Sequence, residues 1–99
     1  MLIHNEQNTS TAIGAGDINF NTASLRGMCK QIIVRPGSES VIYSISFTNE
    51  SDSIIYVREN EIGTLSEVIE LPVKGIYTVS IYDITTSSQT FVTQLMIEE

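Results

Sequence analysis

The chain has one cysteine, one histidine, two prolines and no tryptophan in 99 residues. The lone thiol, Cys29, cannot close an internal disulfide, so no oxidative framework holds the fold. A single histidine cannot supply the Cys/His set of a structural zinc site. It also leaves Ser-His-Asp and Cys-His mechanisms without a base in the body of the chain, because that histidine is His4. Cations are scarce: 5 Lys and Arg stand against 12 Asp and Glu, a net charge of −7. Phosphate binding and anionic membrane surfaces both need clustered Lys and Arg, so no nucleic acid and no membrane partner is expected. No window approaches 18 apolar residues, as a transmembrane helix would require. The first residues, Met1 to Glu6, lack the basic start and apolar run of a signal peptide. A chain made in a reducing cytoplasm is the expectation.

What is present is short and polar. The 12 Ser, 10 Thr and 6 Asn exceed a quarter of the residues, while only 17% are charged. These side chains suit turns and the solvent face of strands, and they disfavour helix interiors. A hydrophobic fraction of 41% is enough for one modest core in one domain.

Alternation of period two recurs along the chain, and no stretch holds the i, i+3, i+4, i+7 spacing of a helix. Strands are expected over Cys29–Arg35, Val41–Phe47, Ile54–Val57, Leu65–Leu71, Ile76–Tyr82 and Phe91–Ile97. Pro36-Gly37, Asn49-Glu50-Ser51-Asp52, Glu59-Asn60-Glu61, Pro72 and Thr85–Ser88 separate them. Tyr43, Ile45, Phe47, Tyr77, Val79, Ile81, Leu95 and Ile97 are the expected core. Ile33, Ile42, Ile76, Tyr82, Val92 and Met96 fall out of phase with it. Short strands at this spacing imply an all-β fold: a single antiparallel β-sandwich, immunoglobulin-like or jelly-roll-like. Residues 25–99 form that domain. Residues 1–24, rich in Asn, Thr, Ser, Ala and Gly, read as an extended N-terminal arm with at most one or two short strands. Its apolar residues Ile13, Ile18 and Phe20 are candidate contacts with a partner, unless Ile18 and Phe20 form the first strand of the sandwich.

Other constellations are weak. Asn49–Asp52 and Glu59–Glu61 carry oxygen ligands but not the spacing of a calcium loop. Gly14-Ala15-Gly16 is half a dinucleotide fingerprint without its strand–turn–helix setting. Paired carboxylates for glycoside hydrolysis have no evident cleft. Cys29 reads as a buried structural thiol. Tyr77 fits either a core tyrosine or one whose hydroxyl ties back to an upstream backbone group, as in immunoglobulin-like domains. No enzyme activity, metal or cofactor is expected.

The run Lys30–Pro36, the alternating strand Val41–Phe47, Asp52–Tyr56, Gly63-Thr64-Leu65, Leu71–Ile81 and the ending Phe91–Glu99 resemble small β-sandwich virion proteins of tailed bacteriophages. The resemblance covers residues 28–99 and specifies fold better than role. It implies a head decoration, or cement, protein on the capsid surface. Its partner would be the major capsid protein, and it would act as a homo-oligomer, with a trimer at symmetry axes as one form. The alternative is a binding module of a tail, fibre or bacterial surface protein that recognises a carbohydrate or protein. An exposed row of aromatic side chains would favour that alternative.

Overall fold

The computed structural model describes residues 3–12, 16–86 and 88–99. Eight strands follow one another: β1 (Ile3–Thr11), β2 (Ile18–Asn21), β3 (Leu25–Pro36), β4 (Ile42–Thr48), β5 (Ile54–Ile62), β6 (Leu65–Gly75), β7 (Thr78–Tyr82) and β8 (Thr90–Glu98). They form two four-stranded antiparallel sheets, ordered β1-β8-β3-β6 and β2-β7-β4-β5. Among the described residues there is no helix.

The pairing is nested. β4 pairs β5, β3 pairs β6, β2 pairs β7 and β1 pairs β8. The chain is one long antiparallel ribbon whose tip is the β4–β5 turn, wound so that β8 also meets β3 and β7 also meets β4. This is the jelly-roll winding, with two four-stranded sheets, and not the immunoglobulin arrangement of a four- and a three-stranded sheet. The jelly-roll expectation therefore stands and the immunoglobulin-like one is corrected.

Within residues 1–24, Ile3–Thr11 and Ile18–Asn21 are strands of the sandwich and not an arm apart from it. β1 runs beside β8 from Ile3↔Glu98 to Thr11↔Thr90, and β2 beside β7 from Ile18↔Ile81 to Asn21↔Thr78. Main-chain hydrogen bonds suffice to add a polar strand to a sheet edge, so β1 needs no hydrophobic alternation to belong there. The half-buried side of β1 carries Glu6, Asn8 and Ser10. Ala12 closes this corner: it is buried, and its N–H donates to the Gln89 carbonyl at 2.9 Å.

All eight expected core residues are buried between the sheets, joined by Ile32, Val34, Val41, Tyr56 and Phe91. Tyr43 meets Phe91 of the facing sheet edge-on, with ring centroids 5.1 Å apart. Its hydroxyl donates to the Gly63 carbonyl at 2.8 Å, satisfying the one polar atom that burial would orphan. Two boundaries differ from expectation. β5 continues through Glu59-Asn60-Glu61 by a bulge, with Asn60 at φ 56° and its N–H donating to Ser44 Oγ. β6 continues through Pro72, which an edge strand tolerates because one side of its ladder is unpaired.

Candidate functional site

Alternation along four strands builds one continuous outer surface on the β1-β8-β3-β6 sheet. Leu25, Cys29, Ile32 and Val34 of β3 face the core, so Arg26, Met28, Ile33 and Arg35 face out. Register sets Met28 opposite Pro72 and Glu98, Gln31 opposite Val68 and Met96, Ile33 opposite Ser66 and Gln94, and Arg35 opposite Val92. Ile3 lies beyond Glu98 on β1. A bulge at Lys30 shifts the β3 register between Cys29 and Gln31. Lys30 then joins the outer face, where its Nζ meets Glu70 Oε1 at 3.0 Å. That contact holds the ammonium pKa above its ordinary value.

The bulge leaves a groove of about 300 Å³ lined by Ile3, Lys30, Gln31, Val68, Met96 and Glu98. Its aliphatic walls are open to water: Val68 is 81% exposed and Ile3 61%. Around it the polar side chains are tied to one another. Arg35 Nη1 donates to Gln94 Oε1 at 2.7 Å, Gln94 Nε2 to Gln7 Oε1 at 3.2 Å, and Gln31 Nε2 to Ser66 Oγ at 3.1 Å. The arrangement is flat and strand-borne, suited to contact rather than to enclosing a small molecule.

The other sheet presents a different outer face, a ladder of short polar side chains. Ser80 Oγ donates to Asn19 Oδ1 at 2.7 Å and Thr78 Oγ1 to Asn21 Oδ1 at 2.9 Å. At its β5 edge Ile54 and Ile62 are exposed.

Of the three residues expected to contact a partner, Ile18 and Phe20 lie on β2 of the other sheet. Ile18 is buried opposite Ile81, and Phe20 packs against the core opposite Val79. Both are inward-facing residues of β2, so the structure does not place them as docking anchors. Ile13 lies outside the described residues. Of the out-of-phase set, Ile33, Val92 and Met96 gather on the β1-β8-β3-β6 face, whereas Ile42 and Tyr82 belong to the other sheet and Ile76 precedes β7. The sequence reading missed Ile3, Met28 and Val68. Val68 was detectable, since Leu65, Ile69 and Leu71 share one phase and Val68 takes the other. The Lys30 bulge inverts the phase midway along β3 and leaves no local mark.

The remaining candidates resolve structurally. Asn49 Oδ1 accepts the N–H groups of Ser51 and Ser53, each at 3.0 Å, and Glu50 Oε1 accepts that of Ile76 at 2.7 Å. Asn49 thus serves the backbone of its own turn, and Glu50 that of the β6–β7 connection. Among the described residues no cluster of three His, Cys, Asp or Glu forms. Cys29 is buried, which pushes its thiol pKa up to about 11. Tyr77 is buried and its hydroxyl accepts the Lys74 N–H at 2.8 Å, the tie to an upstream backbone group, though in a jelly roll. None of the seven aromatic side chains is exposed: five are buried, and Phe20 and Tyr82 are half-buried.

No protein-family model and no curated protein sequence matches the chain. Solved structures do share its shape. The periplasmic inhibitor of g-type lysozyme from Aeromonas hydrophila, PliG, is 13% identical with a TM-score of 0.54, over 93% of this chain and 86% of that one. The mitogen derived from Yersinia pseudotuberculosis is 7% identical with a TM-score of 0.57, over 99% and 89%. Infectious bursal disease virus, Gx strain, is 11% identical over 98% of this chain and 32% of that one, at a TM-score of 0.41. At these identities the first two show a common fold, and the third is too loose a likeness for further comparison.

Proposed function

We propose that the chain is a structural binding protein whose β1-β8-β3-β6 face docks on another protein, and that it is a head decoration protein of a phage virion, seated on the major capsid protein. The observation that carries docking is the aliphatic outer face around Val68, Ile3 and Met96. Val68 and Ile3 are exposed and Met96, Met28 and Ile33 half-buried beside them, a contiguous apolar stretch of the kind that marks a contact surface, while the exposed Ile54, Val57 and Ile62 lie along the β5 edge of the other sheet. Burial of the aromatic side chains favours a protein partner over a glycan, since glycan recognition was the reading that needed an exposed aromatic row. The decoration role itself rests on the resemblance to phage β-sandwich proteins and on a fold that recurs in capsid components, a fold-level analogy. No catalytic step is assigned.

Four strands at about 4.8 Å spacing and nine residues at about 3.3 Å give a face of roughly 600 Å². A standard interface takes about 800 Å² from each partner. One copy alone would bind weakly, and a homo-oligomer such as a trimer would gain from simultaneous attachment to a repeating shell. The test is to mix purified protein with undecorated phage heads and sediment them. Saturable binding of hundreds of copies per head is expected. No binding to heads, or only a few dozen copies, rejects decoration and leaves a tail, fibre or surface binding module.

A further inference from the structure

Resting on the docking reading above, we propose that this face recognises a protein surface that is acidic around an apolar centre. Four of the five basic residues, Arg26, Lys30, Arg35 and Lys74, project from it. Of the twelve acids only Glu70 and Glu98 do. One base and ten acids are left to the rest of the molecule, so a strongly acidic protein turns a net positive face outward on one side. The cations frame the apolar residues: Arg26 and Lys74 stand at one end, Arg35 at the other, with Met28, Val68, Met96 and Ile33 between. An apolar centre with a charged rim is the usual anatomy of a protein contact.

A second observation points outward. Arg26 and Lys74 face each other directly across the β3–β6 pair. Like charges in that position destabilise a sheet. Neither has an acid within 4 Å among the described residues, and nor does Arg35. A carboxylate from a partner placed between Arg26 and Lys74 would turn that repulsion into two attractions. A second copy of this chain fits poorly, because symmetric pairing would set these cations against themselves. Nucleic acid fits poorly too, because the cations surround an aliphatic patch and this face carries no aromatic ring for base stacking.

The experiment immobilises poly-L-glutamate on a biosensor and passes the full chain over it at about 20 mM and about 300 mM NaCl. Salt shortens the Debye length to a few ångströms. Retention at low salt, reduced about tenfold at high salt, is expected. Arg26→Gln with Arg35→Gln should lose about tenfold, while Asn19→Asp with Asn21→Asp, the same change in net charge on the opposite sheet, should match the parent. Lys74→Gln alone serves if the arginine pair melts early. No retention of the parent, or equal loss in both double variants, overturns the inference. So does tighter retention on duplex DNA than on poly-L-glutamate. Undecorated heads give a separate reading. Head binding unmoved by the arginine pair overturns the acidic partner and keeps decoration. Failure to bind heads at all rejects decoration, and the poly-L-glutamate result still decides the chemistry of the face.

Discussion

Thr93 sits in the middle of β8, in the core, with its hydroxyl oxygen unpartnered among the described residues. A buried polar atom without a hydrogen bond carries its full desolvation cost, and replacing it with a methyl of nearly the same shape removes that cost. Thr93→Val should therefore stabilise the protein by about 1 kcal/mol, a rise of roughly 4–8 °C in Tm for a domain this size. A fall in Tm would mean that the hydroxyl has a partner, such as an internal water. Gly27 makes the opposite case. Its φ of 123° lies where L side chains rarely go, and a Cβ there would collide with the backbone carbonyl oxygen of Glu98. Gly27→Ala should cost at least about 1–3 kcal/mol, visible as an earlier urea midpoint. An unchanged midpoint would show that the β3–β8 ladder gives way there freely.

At the scale of elements, one cluster closes the seam between the sheets. Tyr56 and Arg58 on β5 meet Glu67 on β6, strands that belong to different sheets. The Tyr56 hydroxyl donates to Glu67 Oε1 at 2.8 Å, and Arg58 donates to Oε2 through Nε at 3.1 Å and Nη2 at 2.8 Å. Its guanidinium also stacks on the Tyr56 ring, 4.8 Å from the centroid. The Arg58 hydrogen bonds, with that of Tyr56, hold the Glu67 carboxyl below its ordinary pKa despite partial desolvation. A carboxyl whose pKa falls on folding contributes stability that is complete above its unfolded value, about 4.3, and is lost as pH falls through the folded value. Burial acts the other way on Tyr56 and Tyr43, whose phenols are raised above their ordinary value. Their contribution is complete below about pH 10 and declines as pH rises past it. Melts from pH 3 to 11 should show both limbs, and Glu67→Gln should flatten the acid one. An identical acid limb in that variant would remove the clamp from the account. The strands themselves were legible to the degree that each buries a hydrophobic side. β4 and β8 alternate cleanly and were read closely. β1 was not, because Glu6, Asn8 and Ser10 occupy its half-buried positions and main-chain bonds to β8 hold it. The β5 bulge hid its last turn of sequence behind Glu59-Asn60-Glu61, residues that elsewhere end a strand. The contact face was half legible. Out-of-phase Ile33, Val92 and Met96 announced a second apolar side, but only the strand order shows that they and Val68 share one sheet.

The winding of the whole molecule decides what a binding experiment can mean. Removing Met1–Ile13 deletes β1 and the buried Ala12, leaves β8 as a bare edge and takes away the Ala12 N–H bond to the Gln89 carbonyl. Loss of head binding in that truncation would report a damaged fold, not a missing anchor, because exposed strand edges invite aggregation. A point change on the sheet surface separates the two. Val68 is 81% exposed, so Val68→Asp gives up almost no burial and should shift stability by no more than about 0.5 kcal/mol. It stands beside the groove, between the cations, where a docked partner would exclude water from it. A carboxylate there would face an acidic partner and lose water on docking, which should cost at least about 1.4 kcal/mol of binding, or tenfold in Kd. Ile54→Asp provides the control, since Ile54 is comparably exposed on the edge of the opposite sheet. Sedimentation with undecorated heads should then show Val68→Asp weakened at least tenfold, with Ile54→Asp and both melting temperatures close to the parent. Equal binding by the two variants would move the contact off this sheet. Weakening by Ile54→Asp alone would place it on the β2-β7-β4-β5 side, where the partner would meet a polar Ser, Thr and Asn ladder and an acidic surround, and would have to be basic rather than acidic.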